Sequence, residues 1–238
     1  MSELSPEKFH LVQVQATVFT PDHNFSSSRF VSQVLKDFAA RFDGDVQSLP
    51  LPDKVPPEVP RVVLTSKDKS LRLEGALSRI NITWLLVNNV QARLANQAVE
   101  LADVLLRYLR STQERVSRMG FVVNRVGHTP QPAADLIAHF CNDAIRERGL
   151  QQSRNFEVHN HDVVVLNVQG TTVPMNRWIR FRTARVAANG MPVIGVEQDF
   201  NTIQEGSDKL RFTPELIQTF FNSVPQDADA TLATFLGA

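Results

Sequence analysis

The stretch EVHNHDVVV, residues 157–165, brings two histidines and two carboxylates close together in the chain. Imidazole and carboxylate groups bind divalent metal ions and transfer protons, so this composition raises the question of a metal-dependent hydrolase or nuclease. The residues that would carry this chemistry are His128, His159, His161 and Asp162, with Glu157 beside them. We weigh this catalytic interpretation against two structural ones.

The spacing of these residues argues against a metal site. Residues two apart on an extended strand are separated by about 6.6 Å and residues four apart by about 13 Å. Glu157, His159 and His161 therefore cannot all reach one ion from a straight strand. Asn and Asp favour turns, because they tolerate left-handed backbone and bond to nearby backbone groups. We expect residues 159–162 to form a hairpin turn that binds no metal and no cofactor. The alternative is a continuous strand with Glu157, His159 and His161 on its polar face.

Other signatures of a common enzyme class are missing from the sequence. It contains no GxGxxG, P-loop, GxSxG, HExxH or CxxC motif. The single cysteine, Cys141, has no convincing histidine partner and is a poor candidate for a nucleophile. We therefore expect a non-catalytic binding or assembly module, with the metal-dependent hydrolase as the alternative.

Composition limits the class of partner. The 238 residues include 25 Lys and Arg against 25 Asp and Glu, so no excess positive charge attracts nucleic acid. No run approaches the roughly 18 apolar residues of a membrane span. The start MSELSPEKFH lacks the features of a secretory signal, and one cysteine cannot form an intrachain disulfide. These features favour a cytoplasmic protein whose partner is another protein.

Hydrophobic periodicity predicts the elements of the first half of the chain. These are a strand at 9–19, a helix at 26–42, an exposed proline-rich connector at 43–60, strands at 61–65, 71–77 and 79–86, and a helix at 90–117. The apolar stripe of the last helix has nearly heptad spacing. That spacing suits a helix that lies across a sheet, and it also suits the seam of a homodimer.

The second half repeats this order of elements. It reads as a strand at 119–126, a helix at 132–148, strands from 155 to 200, a helix from Thr213 and Pro214, and a second short helix after Pro225. The match predicts one domain, 1–238, built of two repeats, 8–118 and 119–238. We expect an α+β fold with the helices packed on one face of a curved antiparallel sheet.

A sheet covered by helices on one side leaves its other face to water or to a partner. The candidate binding residues are therefore the polar residues of the first strand and the residues at matching positions of the second repeat. They are Gln13, Gln15, Thr17, Asn124 and His128.

Four arginines and a tryptophan between residues 177 and 185 have the composition of a nucleic-acid surface, in which cations alternate with an aromatic ring. A hairpin offers a more specific explanation. The pair Asn189-Gly190 predicts a two-residue turn, which would place Arg182 opposite Glu197 and Arg180 opposite Asp199. Such pairs would neutralise half of the positive charge.

Two segments carry a resemblance to a known family, namely LTSKDKSLRLEGALSRINITW (64–84) and RMGFVVNR (118–125). Together they resemble an uncharacterised bacterial protein family with a strand-helix-strands-helix unit and an R-x-G-x-x-x-N-R strand. The resemblance covers residues 8–125 and implies an architecture but no activity. The duplicated order also resembles TATA-binding-protein-like folds, in which one face of a curved antiparallel sheet is free to bind.

Overall fold

A computed structural model describes residues 4–20, 25–52, 54–87, 92–147, 149–168, 171–203 and 212–237. The elements are β1 (Phe9–Phe19), α1 (Ser27–Phe38), β2 (Val46–Ser48), β3 (Val62–Thr65), β4 (Leu71–Gly75), β5 (Arg79–Leu85), α2 (Leu94–Thr112), β6 (Arg118–His128), α3 (Pro132–Phe140), α4 (Asp143–Glu147), β7 (Glu157–Val168), β8 (Thr171–Arg185), β9 (Pro192–Thr202) and α5 (Pro214–Leu236). Single turns of 3-10 helix precede β1 and β7. The expected α+β class is confirmed.

The strands form one nine-stranded antiparallel sheet with the order β2-β3-β4-β5-β1-β6-β9-β8-β7. The first strand of each half, β1 or β6, lies at the centre, and the two are paired. Outward from β1 come β5, β4 and β3, and outward from β6 come β9, β8 and β7. Both halves therefore share one connectivity. That residues 8–118 superpose on 119–238 remains a prediction.

One face of the sheet forms the core together with the helices. Phe30 of α1, Leu105 of α2 and Phe220 of α5 are buried in one hydrophobic cluster with Val14 of β1 and Phe121 of β6. The near-heptad stripe of α2 lies in this cluster, so the helix uses it to pack across the sheet. A second cluster joins α3 and the end of α5 to the same face of β8 and β9. We call the opposite side, which carries Gln13, Gln15 and Thr17, the open face.

The helices differ from the sequence predictions at four places. α1 ends at Phe38, before the predicted 42. α2 ends at Thr112, before the predicted 117, because Gln113 adopts a left-handed φ of 56°. Its predicted start, residue 90, lies outside the described residues. The predicted helix at 132–148 is divided between α3 and α4, since Cys141 is extended; residue 148 is also outside the described residues. α5 continues through Pro225, where two helices were predicted. Burial of Phe221 and Val224 offsets the backbone hydrogen bond that proline removes.

The connector predicted at 43–60 contains a short edge strand. β2 pairs with β3, with Val46 opposite Leu64 and Ser48 opposite Val62. The prolines of the connector begin at Pro50, after this strand, and so do not interrupt its hydrogen bonds. The sequence pattern missed β2 because three exposed residues show no hydrophobic periodicity.

The predicted hairpin turn at 159–162 is wrong, and the continuous-strand alternative is correct. β7 pairs with β8 without a register shift from Glu157, opposite Arg182, to Val168, opposite Thr171. His159 and His161 face the open side, where their cross-strand neighbours are Arg180 and Trp178. Pairing with a long neighbouring strand outweighs the local turn preference of Asn and Asp.

The register predicted for β8 and β9 is wrong by two residues. Arg180 lies opposite Glu197, and Arg182 lies opposite Gly195. The strands are joined by a longer loop at 187–190, closed by a hydrogen bond of 2.9 Å from the Val186 amide to the Met191 carbonyl. Gly190 has a left-handed φ of 68° and ends this loop instead of completing a two-residue turn.

Candidate binding face

Strand register aligns the open-face side chains in rows that cross the sheet. From β7 to β3, the central row consists of Val163, Asn176, Asn201, Gly120, Thr17, Asn81, Glu74 and Val63. Adjacent members of a row lie on neighbouring strands about 4.8 Å apart, within reach of one another's side chains. The row is polar along its middle in both halves of the chain.

In the first half of the chain, hydrogen bonds connect this row. Thr17 Oγ1 donates to Asn81 Oδ1 at 3.0 Å, and Asn81 Nδ2 donates to Glu74 Oε2 at 3.2 Å. Gln15 Nε2 in turn donates to Thr17 Oγ1 at 3.2 Å. Thr17 and Asn81 are 5% and 4% exposed, so these bonds satisfy polar groups that water scarcely reaches.

The second half carries a matching network. Asn176 Nδ2 donates to Asn201 Oδ1 at 3.0 Å, and Arg118 Nη2 donates to the same oxygen at 2.7 Å. His161 Nε2 lies 2.9 Å from Asn176 Oδ1 and extends the network to the edge strand. Asn201 thus occupies the place in β9 that Asn81 occupies in β5. Between the two networks lies Gly120, which has no side chain.

The next row contains the only tryptophan of the second half and a carboxyl group with a perturbed pKa. The His161 and Trp178 rings are stacked, with centroids 3.9 Å apart and an interplanar angle of 7°. Asp199 lies across from Trp178 in β9. Burial raises the pKa of Asp199, while the hydrogen bond from Asn201 and the charge of Arg118 partly oppose that increase. Because the Asp199 carboxyl group is already shielded from water, a partner that covers this face would raise its pKa further.

A third row pairs charges with amides. Arg180 lies between two carboxylates, with Nε 3.1 Å from Glu157 Oε1 and Nη1 3.6 Å from Glu197 Oε1. Arg182 Nη2 lies 3.9 Å from the other oxygen of Glu197. On the far side of Glu197, Asn124 follows in β6 and Gln13 in β1. Arg180 in this row and Arg182 in the next therefore both have acidic neighbours that offset their charge.

The predicted binding residues all lie on the open face. Gln13 and Asn124 are directly opposite each other, and a register shift between Leu11 and Gln13 precedes this pair. Gln15 and Thr17 follow along β1 toward the centre of the sheet. His128 is exposed at the end of β6, opposite Val193, and lies apart from the other four. Their role in binding remains a prediction.

The structure does not bring the alternative catalytic residues together. Asp162 projects to the helix side, where Arg177 Nη2 and Nε contact its carboxylate at 2.7 and 3.0 Å. The hydrogen bond from Arg177 holds the pKa of Asp162 below its usual range. His159 and His161 face the opposite side, and two strands separate them from His128. Within the described residues, no group of three or more His, Cys, Asp or Glu side chains could hold a metal ion.

The residues of the R-x-G-x-x-x-N-R pattern occupy both sides of β6. Arg118, Gly120 and Asn124 are on the open face, with Gly120 in the central row and Asn124 in the third. Arg125 is on the helix side, only 5% exposed, and bonds to Gln198 of β9 and Asp229 of α5. The pattern thus contributes to the open face and also joins α5 to the sheet.

Sequence reasoning missed the second-half network of Arg118, Asn176 and Asn201, and with it Trp178 and Asp199 as open-face residues. Alternation along β6, β8 and β9 is the signal that assigns each of these residues to a polar face. It does not say which of them are neighbours, because that depends on the register between strands.

Fold and site together define an α+β protein whose antiparallel sheet has helices on one face and an ordered polar surface on the other. No protein-family model matches the chain, and a search of curated proteins found no match. None of the helices in the described residues is long and apolar enough to cross a membrane.

Proposed function

We propose that the protein is a non-catalytic binding module that holds a protein partner on its open face. The observation that carries this proposal is the pair Gln13 and Asn124, which lie directly opposite each other near the centre of the sheet. Within the described residues, neither side chain makes a side-chain hydrogen bond. Two adjacent amides therefore offer donors and acceptors to a partner.

The surroundings of this pair support a protein as the partner. An amide can bond to peptide N–H and to peptide C=O groups, whereas a phosphate backbone needs cations. Arg180, in the same row, and Arg182, in the next, already have Glu197 as a counter-ion. Trp178, half-buried beside this row, adds the type of aromatic side chain that is enriched at protein interfaces.

Order within the face also favours binding. Side chains that are already held by hydrogen bonds lose little conformational entropy when a partner covers them. Thr17 and Asn81 on one side, and Asn176 and Asn201 on the other, are held in this way. The central row, two rows from Gln13 and Asn124 on the same face, is thus ordered before binding.

The test compares two changes of equal charge on opposite sides of the sheet. Asn124→Lys places a cation beside Glu197 at a half-buried position of the open face, and Gln226→Lys places one on the exposed side of α5. Partners retained from a lysate of the native host are identified by mass spectrometry, and the affinity of the purified partner is then measured by calorimetry. We expect Asn124→Lys to weaken binding about tenfold or more, equivalent to about 1.4 kcal/mol.

A third variant separates direct contact from long-range charge. Gln13→Glu introduces the opposite charge next to the same site. If binding depends on contact with the amides, both open-face variants weaken it. Equal affinity in the open-face and α5 variants, or the absence of any partner, would contradict the proposal.

A further inference from the structure

A cleft opens where the first turn of α1 meets β2 and the start of β3, at the edge of the sheet farthest from β7. Its volume is about 400 Å³, and its lining includes Ser27, Ser48 and Arg61 as polar residues. Phe25, Leu49 and Leu77 form its apolar walls. A neighbouring hollow of about 610 Å³ shares Ser27 and Ser48. None of the open-face residues discussed above lines this cleft.

Arg61 is the unusual residue of the cleft. It is only 9% exposed, and its Nη1 donates to the Leu51 carbonyl at 2.8 Å. Its Nε and Nη2 are buried, and neither has a hydrogen-bond partner among the residues that the structure describes. A guanidinium group is always charged, so leaving two of its donors buried and unpaired is costly. Nε and Nη2 form one edge of the guanidinium, the edge that binds two oxygens of a single anion side by side.

The backbone on both sides holds Arg61 in place. Its amide donates to the Gly75 carbonyl at 2.8 Å, and its carbonyl accepts from the Leu49 amide at 2.7 Å. The bond from Nη1 to Leu51 orients the guanidinium itself. The unpaired edge is therefore held in place, and because Nε and Nη2 are buried, a ligand reaches them only when the lining of the cleft moves aside.

The first turn of α1 supplies a second set of donors. The Ser26 hydroxyl accepts from the Arg29 amide at 3.5 Å, and the Ser26 carbonyl accepts from Phe30. Among the described residues, the amides of Ser27 and Ser28 have no backbone or side-chain acceptor. The first turn contains no acidic residue to offset the positive end of the helix dipole. Free amides at a helix N-terminus bind anions.

We propose that this cleft binds a phosphate monoester. The free edge of Arg61 takes two phosphate oxygens, and the amide of Ser27 takes the third. A phosphate monoester offers these donors three non-ester oxygens and up to two negative charges, whereas a carboxylate offers two oxygens and one charge. The organic part of the ester lies along Phe25, Leu49 and Leu77, where burial of apolar surface adds affinity.

The test titrates the full-length protein with phenyl phosphate and with inorganic phosphate at constant ionic strength. Amide chemical shifts in the NMR spectrum, and heat in calorimetry, report binding. We expect saturable shifts at Ser27 and Ser28, and an affinity about tenfold higher for phenyl phosphate, because only the ester reaches the apolar walls. Equal affinity for the two ligands would overturn the monoester assignment, and shifts that do not saturate would overturn the site.

Variants identify the donors. Arg61→Met removes the guanidinium, and we expect binding to be lost. Ser27→Pro removes the amide donor at the first helical position, where proline is well tolerated, so the fold is kept even if Arg61→Met does not fold. Ser27→Ala keeps that amide and is expected to bind more tightly than Ser27→Pro.

Lys36→Met is the matched control, because it removes one exposed positive charge from the other end of α1. We expect it to leave the affinity within about twofold of the parent protein, since an exposed charge at that distance is screened. A loss equal to that of Arg61→Met would show that general charge attracts the ligand and would overturn the site. The open-face variants leave this cleft intact, so failure of one proposal does not affect the other.

Discussion

Arg180 of β8 lies directly across from Glu197 of β9, and its guanidinium also contacts Glu157 of β7. One cation thus links three strands of the open face. The side chains of Arg180 and Glu197 are 39% and 35% exposed, so solvent screens their attraction. The arrangement orders the surface and contributes only modestly to stability.

Charge reversal tests this register. We expect Arg180→Glu to lower the free energy of unfolding, and Glu197→Arg in the same chain to restore part of the loss. Coupling energies of such partly exposed pairs are roughly 0.2–1 kcal/mol. Urea denaturation of the single and double variants measures the coupling. The same cycle with Arg182, whose Nη2 is 3.9 Å from Glu197, should give a smaller value. A larger value for Arg182 would favour the register predicted from the Asn189-Gly190 turn.

The ion pair between Asp162 and Arg177 predicts a pH-dependent contribution to stability. Arg177 also contacts Asp227 of α5 at 3.1 Å, so this group joins the edge strand to a helix. The pKa of Asp162 is lowered in the folded protein, chiefly by the hydrogen bond from Arg177. Its contribution is therefore present above the unfolded pKa and disappears as pH falls through the folded pKa.

Asp162→Asn is expected to lower stability at pH 7 by roughly 1 kcal/mol or less, because the pair is partly exposed. The difference from the parent protein should vanish in acid, where Asp162 is protonated in both states. Thermal unfolding between pH 2 and pH 7 measures this. A difference that persists below the folded pKa would mean that the shape of the side chain matters and its charge does not.

Asp199 predicts the opposite pH dependence. Burial raises its pKa in the folded protein, so between the unfolded and folded pKa values the folded state binds more protons. The contribution of Asp199 to the free energy of unfolding therefore falls as pH rises through that window. We expect Asp199→Asn to raise the melting temperature at pH 7 and to have no effect in strong acid. The amide oxygen of the new side chain can still accept the bond from Asn201 Nδ2. Destabilisation at pH 7 would show that Asn201 and Arg118 stabilise the ionised carboxylate by more than its burial costs, and would contradict this prediction.

Residues 159–162 are expected to hold no stoichiometric transition metal. His159 and His161 lie on one face of β7 and Asp162 lies on the other, so their ligand atoms do not converge. Elemental analysis of protein prepared without a histidine tag is the measurement. About one metal ion per chain, absent from a His159→Ala/His161→Ala variant, would contradict this expectation and restore the hydrolase alternative.

Short-range signals determined much of the secondary structure. Alternation predicted β1 at residues 9–19, as found, because side chains of a strand project to opposite faces every second residue. Thr213 was predicted to cap α5, and its hydroxyl accepts from the Leu216 amide at 3.3 Å. Caps and periodicity involve residues a few positions apart, so they can be recognised without knowing the fold.

Contacts between distant residues were decided only by the tertiary structure. His161 is part of a strand because β8 supplies a partner for every residue of β7, and this pairing outweighs local turn preference. Thr17 bonds to Asn81, and Arg118 to Asn201, through registers that depend on loops as well as on strands. Gly190 fits either a two-residue turn or a longer loop, and choosing between them shifts each cross-strand pair by two positions. The register between β8 and β9 is set by strand pairing across the whole sheet. It therefore depends on neighbouring strands that no local sequence window contains.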